Sequence, residues 1–527
     1  VAPGPSRWWR LWSLVLLLAV GSVVTAGASS AHANLVSTSP ANGAHAESAP
    51  AELALQLDEP VTLVDNSAQL IDSAGDRFEL ARVRLDDGQR RIVLVPAATI
   101  PDGAYLATAR AVSADTHVVS LSLQFTVGAV TEHGEFSTET AAPGVERYLN
   151  YPSKTAVYLG AVLSAGLFLV SLWVWPAARS ERRFRVVYRI GAGILIAGLA
   201  GRLTVLAAQR SGGLSQITGS GIADLLLAPQ GLASLAAVAS SVLAVSVPAS
   251  RVLGVLQAGT AIVAVTLGGH GGSPQGWPLP FLGTLLHVYG ITVWLGGVAT
   301  IVLVLRGAPR LRRWHSIALA HVLVVMTGGL VLAVLQVRPV AALVATPYGL
   351  VLLGKTAVAV AIAAFGYSTY RWFRREETDA GRPRSVLVEA GLAVTVLAVT
   401  SVLTTLPPAE DIYTTNLATT LDFGASEIVR IDIDTIRRGP QQLTVDYRPP
   451  DSAAAERIPP SLAVDLSSAS ANVARLPVAL SEAVEADGAL VWRSEQLIIP
   501  APGVWKVTVR FDGGHGPRLA SFHYEAL

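Results

Sequence analysis

Cysteine is absent from the 527 residues, and methionine occurs once, at Met326. No disulfide framework, thiolate zinc site or Cys-x-x-Cys redox pair can form. A bound metal must therefore rely on imidazole, carboxylate and amine donors, because the soft sulfur ligands that suit Cu(I) are nearly lacking. Charge is scarce as well: Asp, Glu, Lys and Arg make up 15% of the chain, with a net charge of +1. That balance gives no electrostatic case for nucleic acid. No nucleotide-binding loop occurs, so nucleotide hydrolysis is not the expected driving force. No convincing hydrolytic triad is present either. What remains is 51% hydrophobic, with a mean hydropathy of +0.48, the composition of a chain largely dissolved in lipid.

Residues 1–31 read as a secretory signal. Arg7 and Arg10 supply the basic start, "LWSLVLLLAVGSVV" the apolar core and "AGASSA" the small residues of a cleavage region. An uncleaved anchor is the alternative. Residues 32–130 change character. Strand-length runs such as "AELALQL", "RIVLVP" and "LSLQFTV" are separated by the turn signals "PANG", "SAGD", "DDGQ" and "PDG". This is β-sandwich patterning. Residues 131–150 form a polar linker.

Within 151–408, eight apolar stretches have spanning length, near 155–178, 187–208, 225–247, 251–269, 281–305, 314–337, 347–371 and 387–406. Loops after the odd-numbered stretches carry fourteen Lys and Arg residues, against two for the loops after the even-numbered ones. The positive-inside bias puts the odd loops in the cytoplasm and both flanks outside the cell membrane. Residues 409–527 return to strand patterning in "EIVRIDID", "QQLTVDY" and "VWKVTVRF". The expected architecture is a multi-domain membrane protein: an all-β sandwich, an eight-span helical bundle and a second, extracytoplasmic β-sandwich.

Two short stretches carry metal chemistry. In "AVSADTHVVSLSLQFTV", Asp115 and His117 are two residues apart at the head of a strand, so in extended backbone both side chains face one way. At the leader boundary, cleavage after Ala31 makes His32 a true N-terminus. Its α-amine and ring Nδ1 then chelate one ion from a single residue. With Asp115 and His117 this gives three nitrogens and one oxygen, a set suited to tetragonal Cu(II). Cleavage after Ala33 within "AHA" is the competing site, and it discards His32.

The order of leader, "HANLVSTSPANG", strands, "SADTHVVS" and a multi-span region resembles the copper-resistance CopC family fused to its CopD partner. The resemblance covers nearly the whole chain and implies Cu(II) binding by His32, Asp115 and His117. The family's usual Asp-Gly-His-Pro wording is "DTHV" here, and the methionine-rich Cu(I) site of some members has no counterpart in this domain. The C-terminal segment is similar to small immunoglobulin-like modules attached to some copper-handling membrane proteins.

Ionisable groups in lipid are costly and read by default as functional. His270 and His287 frame "GGHGGSPQGWPLPFLGTLLHVYGITVWLGGV", an expected copper path at the outer mouth. His287, Gly290, Trp294 and Gly297 fall on one helical stripe. The run "H-x6-W-x-GG" and the phrase "YG...LLGK" around Lys355 also resemble CopD. His321 and Met326 are a weaker pair for Cu(I), since their five-residue spacing turns them about 140° apart on a helix. Lys355 and Arg202 are expected to snorkel outward.

The expected function is copper homeostasis without enzymatic activity: Cu(II) is bound outside the cytoplasm and copper is passed to or across the plasma membrane, inward. Copper ions and the bilayer are the expected partners, with a separate reductase, because no redox motif is visible. Two alternatives stay open: a membrane-anchored chaperone loading an extracytoplasmic cuproenzyme, and a haem-binding electron carrier.

Overall fold

The computed structural model describes residues 33, 35–40, 44–57, 59–113, 118–129, 145–247, 250–269, 277–305, 311–375, 384–424, 427–449, 460–469, 473–486, 488–494, 497–499, 503–514 and 516–527. The first unit contains β1 (Leu35–Ser39), β2 (Ala44–Ala46), β3 (Leu53–Leu57), β4 (Val61–Leu63), β5 (Gln69–Asp72), β6 (Arg77–Phe78), β7 (Leu80–Asp86), β8 (Arg91–Pro96), β9 (Gly103–Ser113) and β10 (Val118–Val127). One sheet runs β1-β3-β8-β7; the other runs β2-β10-β9-β5-β6, with β4 also on β9. Alternation decides which face is inward. In β10, Leu121, Leu123 and Phe125 are buried while Ser122 and Gln124 are exposed. Leu53, Leu55, Ile92 and Leu94 meet Tyr105, Leu123 and Phe125 in one core between the sheets. The "SAGD" turn closes β5 onto β6 through Asp72, whose Oδ1 accepts from the backbone N–H groups of Ala74 and Asp76, each at 2.9 Å.

The helical unit follows. Helix α1 (Val145–Ala161) passes through a π turn at Val162–Gly166 into α2 (Leu167–Trp173). Then come α3 (Arg182–Ser211), α4 (Gly219–Leu227), α5 (Pro229–Ser246), α6 (Arg251–Leu267), α7 (Leu279–Ala299) with a second π turn at Thr300–Val304, α8 (Leu311–Gln336), α9 (Pro347–Arg375) and α10 (Arg384–Leu403). Every apolar stretch expected from the sequence has its helix. Among the described residues, however, six rather than eight are long and apolar enough to cross a membrane. For one of the remaining two the shortfall is one of length. Arg251–Leu267 has 17 residues, about 25 Å at ~1.5 Å per residue against a hydrocarbon core of ~30 Å.

Lipid offers no hydrophobic drive for helix association, so close backbone approach carries the packing. Glycine makes that approach possible. A Cβ on Gly160 would lie 2.6 Å from Leu195 Cα, and one on Gly296 the same distance from Gly166 Cα. The π turn thus rests directly on α7. Behind it runs a buried polar chain: Tyr188 Oη donates to Gln257 Oε1 at 3.4 Å, Gln257 Nε2 to Ser164 Oγ at 3.1 Å, and Ser164 Oγ to the Gly160 carbonyl at 2.6 Å.

The C-terminal region is β again. A five-stranded sheet (Leu417–Asp422, Ile428–Ile433, Leu443–Tyr447, Ala489–Arg493, Val484–Ala486) faces a four-stranded one (Val473–Val478, Ser461–Ser468, Gly503–Asp512, Arg518–Ala526). Trp505, Val507, Val509 and Phe511 alternate into the shared core. A helical turn at Ala409–Ile412 joins this region to the bundle, and Arg437 Nη1 donates to its Glu410 carbonyl at 3.3 Å. Burial first, and the neighbouring Asp411 second, push the Glu410 carboxyl up to about 8 against the opposing pull of Arg338 and Arg437.

Three outcomes follow. Gly296→Ala forces backbone from backbone and is expected to lower stability by about 2 kcal/mol in thermal unfolding of detergent-solubilised protein. Gly193→Ala, whose Cβ meets nothing within 4 Å, is expected to be neutral or stabilising. At the junction, the raised Glu410 pKa means the native state holds a proton that the unfolded chain releases near the ordinary value of 4.5. Stability therefore declines as pH rises from about 4.5 to about 8. Glu410→Gln is expected to flatten that decline in melting temperatures measured across the range.

Candidate functional site

The α7–α8 contact holds the intramembrane histidines. Glycines set the approach: a Cβ on Gly328 would stand 2.7 Å from the Gly283 carbonyl oxygen and 2.8 Å from the His287 backbone nitrogen. On the expected stripe, Gly290, Trp294 and Gly297 are buried, and the Trp314 ring of α8 sits against Gly297. His287 Nδ1 lies 2.9 Å from the Val325 carbonyl. A carbonyl only accepts, so Nδ1 carries the proton and Nε2 presents its lone pair. One turn earlier, Thr284 Oγ1 is buried with no hydrogen-bond partner among the described residues.

His321 faces the same contact from α8, near Gly290, but its ring is already engaged. Nδ1 donates to the Ile317 carbonyl at 2.8 Å, and Nε2 accepts from Tyr289 Oη at 3.2 Å. Tyr289 and Trp173 flank the ring at 5.3 and 6.0 Å between centroids. Both nitrogens are spent, the signature of a structural histidine. Met326 is 58% exposed on the outer surface of the bundle, so the structure does not bring it to His321. Lys355, half-buried on α9, lies within electrostatic reach of His287.

Arg202 does not snorkel. It is buried, with Nη1 donating to Asn150 Oδ1 at 2.6 Å and Nη2 to the Gly268 carbonyl at 3.5 Å. Beside it Lys154 is buried too, donating to the Thr404 carbonyl at 2.6 Å and to Thr405 Oγ1 at 3.1 Å. The two cations tie α1, α3, α6 and the end of α10 together at one end of the bundle. His270, two residues beyond Gly268, lies outside the described residues.

His32, Asp115 and His117 also lie outside the described residues, but their anchors do not. Ala33, next to His32, is buried in the core of the first sandwich. Strand β9 ends at Ser113 and β10 starts at Val118, which pairs with Val112. Nearby is a residue that the sequence reading passed over. Glu59 is fully buried, two residues before Val61, which pairs with Ser113. Its signal was legible in "LDEPV", a carboxylate set against proline at the head of an apolar strand. Among the described residues no three His, Asp or Glu side chains cluster closely enough to hold a metal.

Residues 35–128 match the family model of the CopC domain, and residues 308–403 match that of copper resistance protein D. The chain belongs to the CopC–CopD copper-resistance family. It is 35% identical over 121 residues to copper resistance protein C of Pseudomonas syringae pv. tomato, covering 94% of that protein and 22% of this chain. It is also 28% identical over 431 residues to the copper transport protein CutJ of Bacillus subtilis (strain 168), covering 76% of this chain and 78% of CutJ. Among solved structures it is similar to PcoC, a methionine-rich copper resistance protein from Escherichia coli, at 29% identity over 18% of this chain and 99% of PcoC, with a TM-score of 0.17. This CopC–CopD fusion is thus a multi-pass copper resistance and transport membrane protein, of a family that is typically non-enzymatic. Its CopD match contains His321, Met326 and Lys355, whereas His287 precedes it.

Proposed function

We propose that this CopC–CopD protein captures Cu(II) outside the cytoplasm and moves copper inward along its helices, without catalysing a reaction. The CopC domain, residues 32–130, holds the ion through the His32 amine and imidazole, Asp115 and His117. Buried Glu59 accepts a hydrogen bond from a ligand imidazole, the carboxylate support that fixes ring orientation at metal sites. Because the amine must lose its proton, with a free pKa of ~7.7–8.0, affinity falls on acidification.

From there copper passes by His270 to His287 in the CopD-like unit, residues 151–408. The observation that supports this step is the His287–Val325 bond: Nδ1 lies 2.9 Å from the Val325 carbonyl, which leaves the Nε2 lone pair for a ligand role. All eight apolar stretches cross the membrane in this reading, the 17-residue α6 with local thinning of the bilayer. Both β regions then lie outside, and the immunoglobulin-like C-terminal region, 409–527, docks near the CopC domain. An inside-negative potential drives a cation inward by roughly 2.3 kcal/mol per charge per 100 mV. Copper in the helices is Cu(I), supplied by a separate reductase.

Isotopic copper uptake into sealed vesicles tests the path. His287→Ala is expected to abolish uptake, and His321→Ala to retain it. Uptake unchanged in His287→Ala would defeat transport through that residue. Copper-loaded full-length protein is expected to show a nitrogen-rich type 2 electron paramagnetic resonance signal that His117→Ala removes. Glu59→Gln is expected to weaken Cu(II) binding roughly tenfold.

A further inference from the structure

The first sandwich does not hang free of the bundle. Helix α3 stops at Gly212, left-handed at a φ of 82°, whose N–H returns to the Ala208 carbonyl. Helix ends leave carbonyls that the helix itself cannot satisfy. One of them, on Arg210, accepts from the backbone N–H of Asp65 at 3.0 Å, across the boundary between the two units. A Cβ on Gly212 would stand 3.5 Å from the Asp65 carbonyl oxygen and 3.7 Å from Val64 Cγ1. The turn after β4 thus rests on the helix end. That turn is tied down within its own sandwich. Asn66 is left-handed at a φ of 53°, and Ser67 Oγ donates to the Val64 carbonyl at 2.7 Å and accepts from the Arg110 N–H at 3.1 Å. The Val64 N–H donates to the Arg110 carbonyl at 2.8 Å.

A second contact holds the other sheet. Strand β1 is at its edge, and it comes within 8 Å, Cα to Cα, of the strand Gly439–Gln441 in the C-terminal region. That strand begins two residues after Arg437, which is bonded to the Glu410 turn. Around the same turn, Ala409 and Tyr413 pack with Tyr348 and Leu403 of the bundle. The C-terminal region is therefore fixed to the helices and touches the first sandwich at once.

We infer that the C-terminal β region is a brace, which together with the end of α3 seats the CopC domain on its own bundle throughout copper transfer. The recipient of the captured ion is then this chain rather than a separate protein; the inference rests on the copper path proposed above. The seat lies between the two ends of that path. From Val61, paired with Ser113 at the edge of the proposed copper loop, β4 leads four residues on to Asp65, about 13 Å at ~3.3 Å per residue. Back along α3 from Arg210, eight residues or about 12 Å lead to Arg202, bonded to Gly268 at the foot of the His270 segment. Transfer between sites held on one body is intramolecular, at an effective concentration set by geometry rather than by diffusion. A domain that swings away or is released loses that advantage.

Because the chain has no cysteine, a covalent lock tests this cleanly in full-length protein. Asp65→Cys with Ser215→Cys spans the helix seat, and Ser37→Cys with Pro440→Cys spans the brace; all four positions are exposed. A short, reducible bis-methanethiosulfonate reagent is expected to join each pair within one chain in most molecules, read by peptide mass. In sealed vesicles the locked protein is expected to take up isotopic copper within about twofold of its reduced form. A pair that does not join, or uptake that falls about tenfold on locking and returns on reduction, overturns the inference. Should one double variant fail to fold, the other carries the same test. Lack of uptake in the unlocked protein counts against the copper path itself, and the joining of the pairs still decides the brace.

Discussion

At Gly166 and Gly296 two backbones come so close that a single methyl group would stand 2.6 Å from the opposing Cα. Much of the helical unit follows from that contact. In lipid, apolar side chains gain nothing from being buried against one another rather than against acyl chains, so dispersion at close range decides which helices pair. The π turn at Val162–Gly166 brings the first span against α7, and Gly283, Gly290, Gly328 and Gly329 bring α8 against its other side. Helix α7 is thereby held from both sides, and His287 is fixed on it.

That fixation has a chemical consequence. A histidine free to rotate offers either nitrogen; His287, clamped by the Val325 carbonyl, offers Nε2 alone. His321, a turn away on the facing helix, offers neither. The absence of thiols and the outward position of Met326 leave imidazole as the softest donor in the bundle. Transfer along the proposed path would depend on weak, sequential ligation rather than on a closed metal cage. On the proposed path, the nearby Lys355 would oppose prolonged residence of a cation at His287.

Much of this was legible in the sequence. Alternating runs such as "LSLQFTV" became β10 with the expected faces, and each apolar stretch became a helix, because both periodicities report directly on burial. The helix count that meets spanning length was not legible: the stretch near 251–269 forms a shorter helix, Arg251–Leu267, that stops at Gly268. Arg202 was misjudged because snorkelling assumes a lipid-facing side chain, whereas Asn150, fifty-two residues away, receives it inside the bundle. Glu59 was passed over because its burial depends on strands paired far along the chain. The distinction between His287 and His321 needs carbonyl positions, which no spacing rule supplies.

The central claim is that His287 presents an unprotonated Nε2 to copper while His321 does not. Nitrogen NMR of histidine-labelled full-length protein, recorded before and after addition of Cu(I), tests it most directly. The account predicts a neutral His287 ring protonated at Nδ1, with its Nε2 resonance moving on metal addition and the His321 resonances staying in place. A His287 protonated at Nε2, or a metal-induced shift confined to His321, would contradict it.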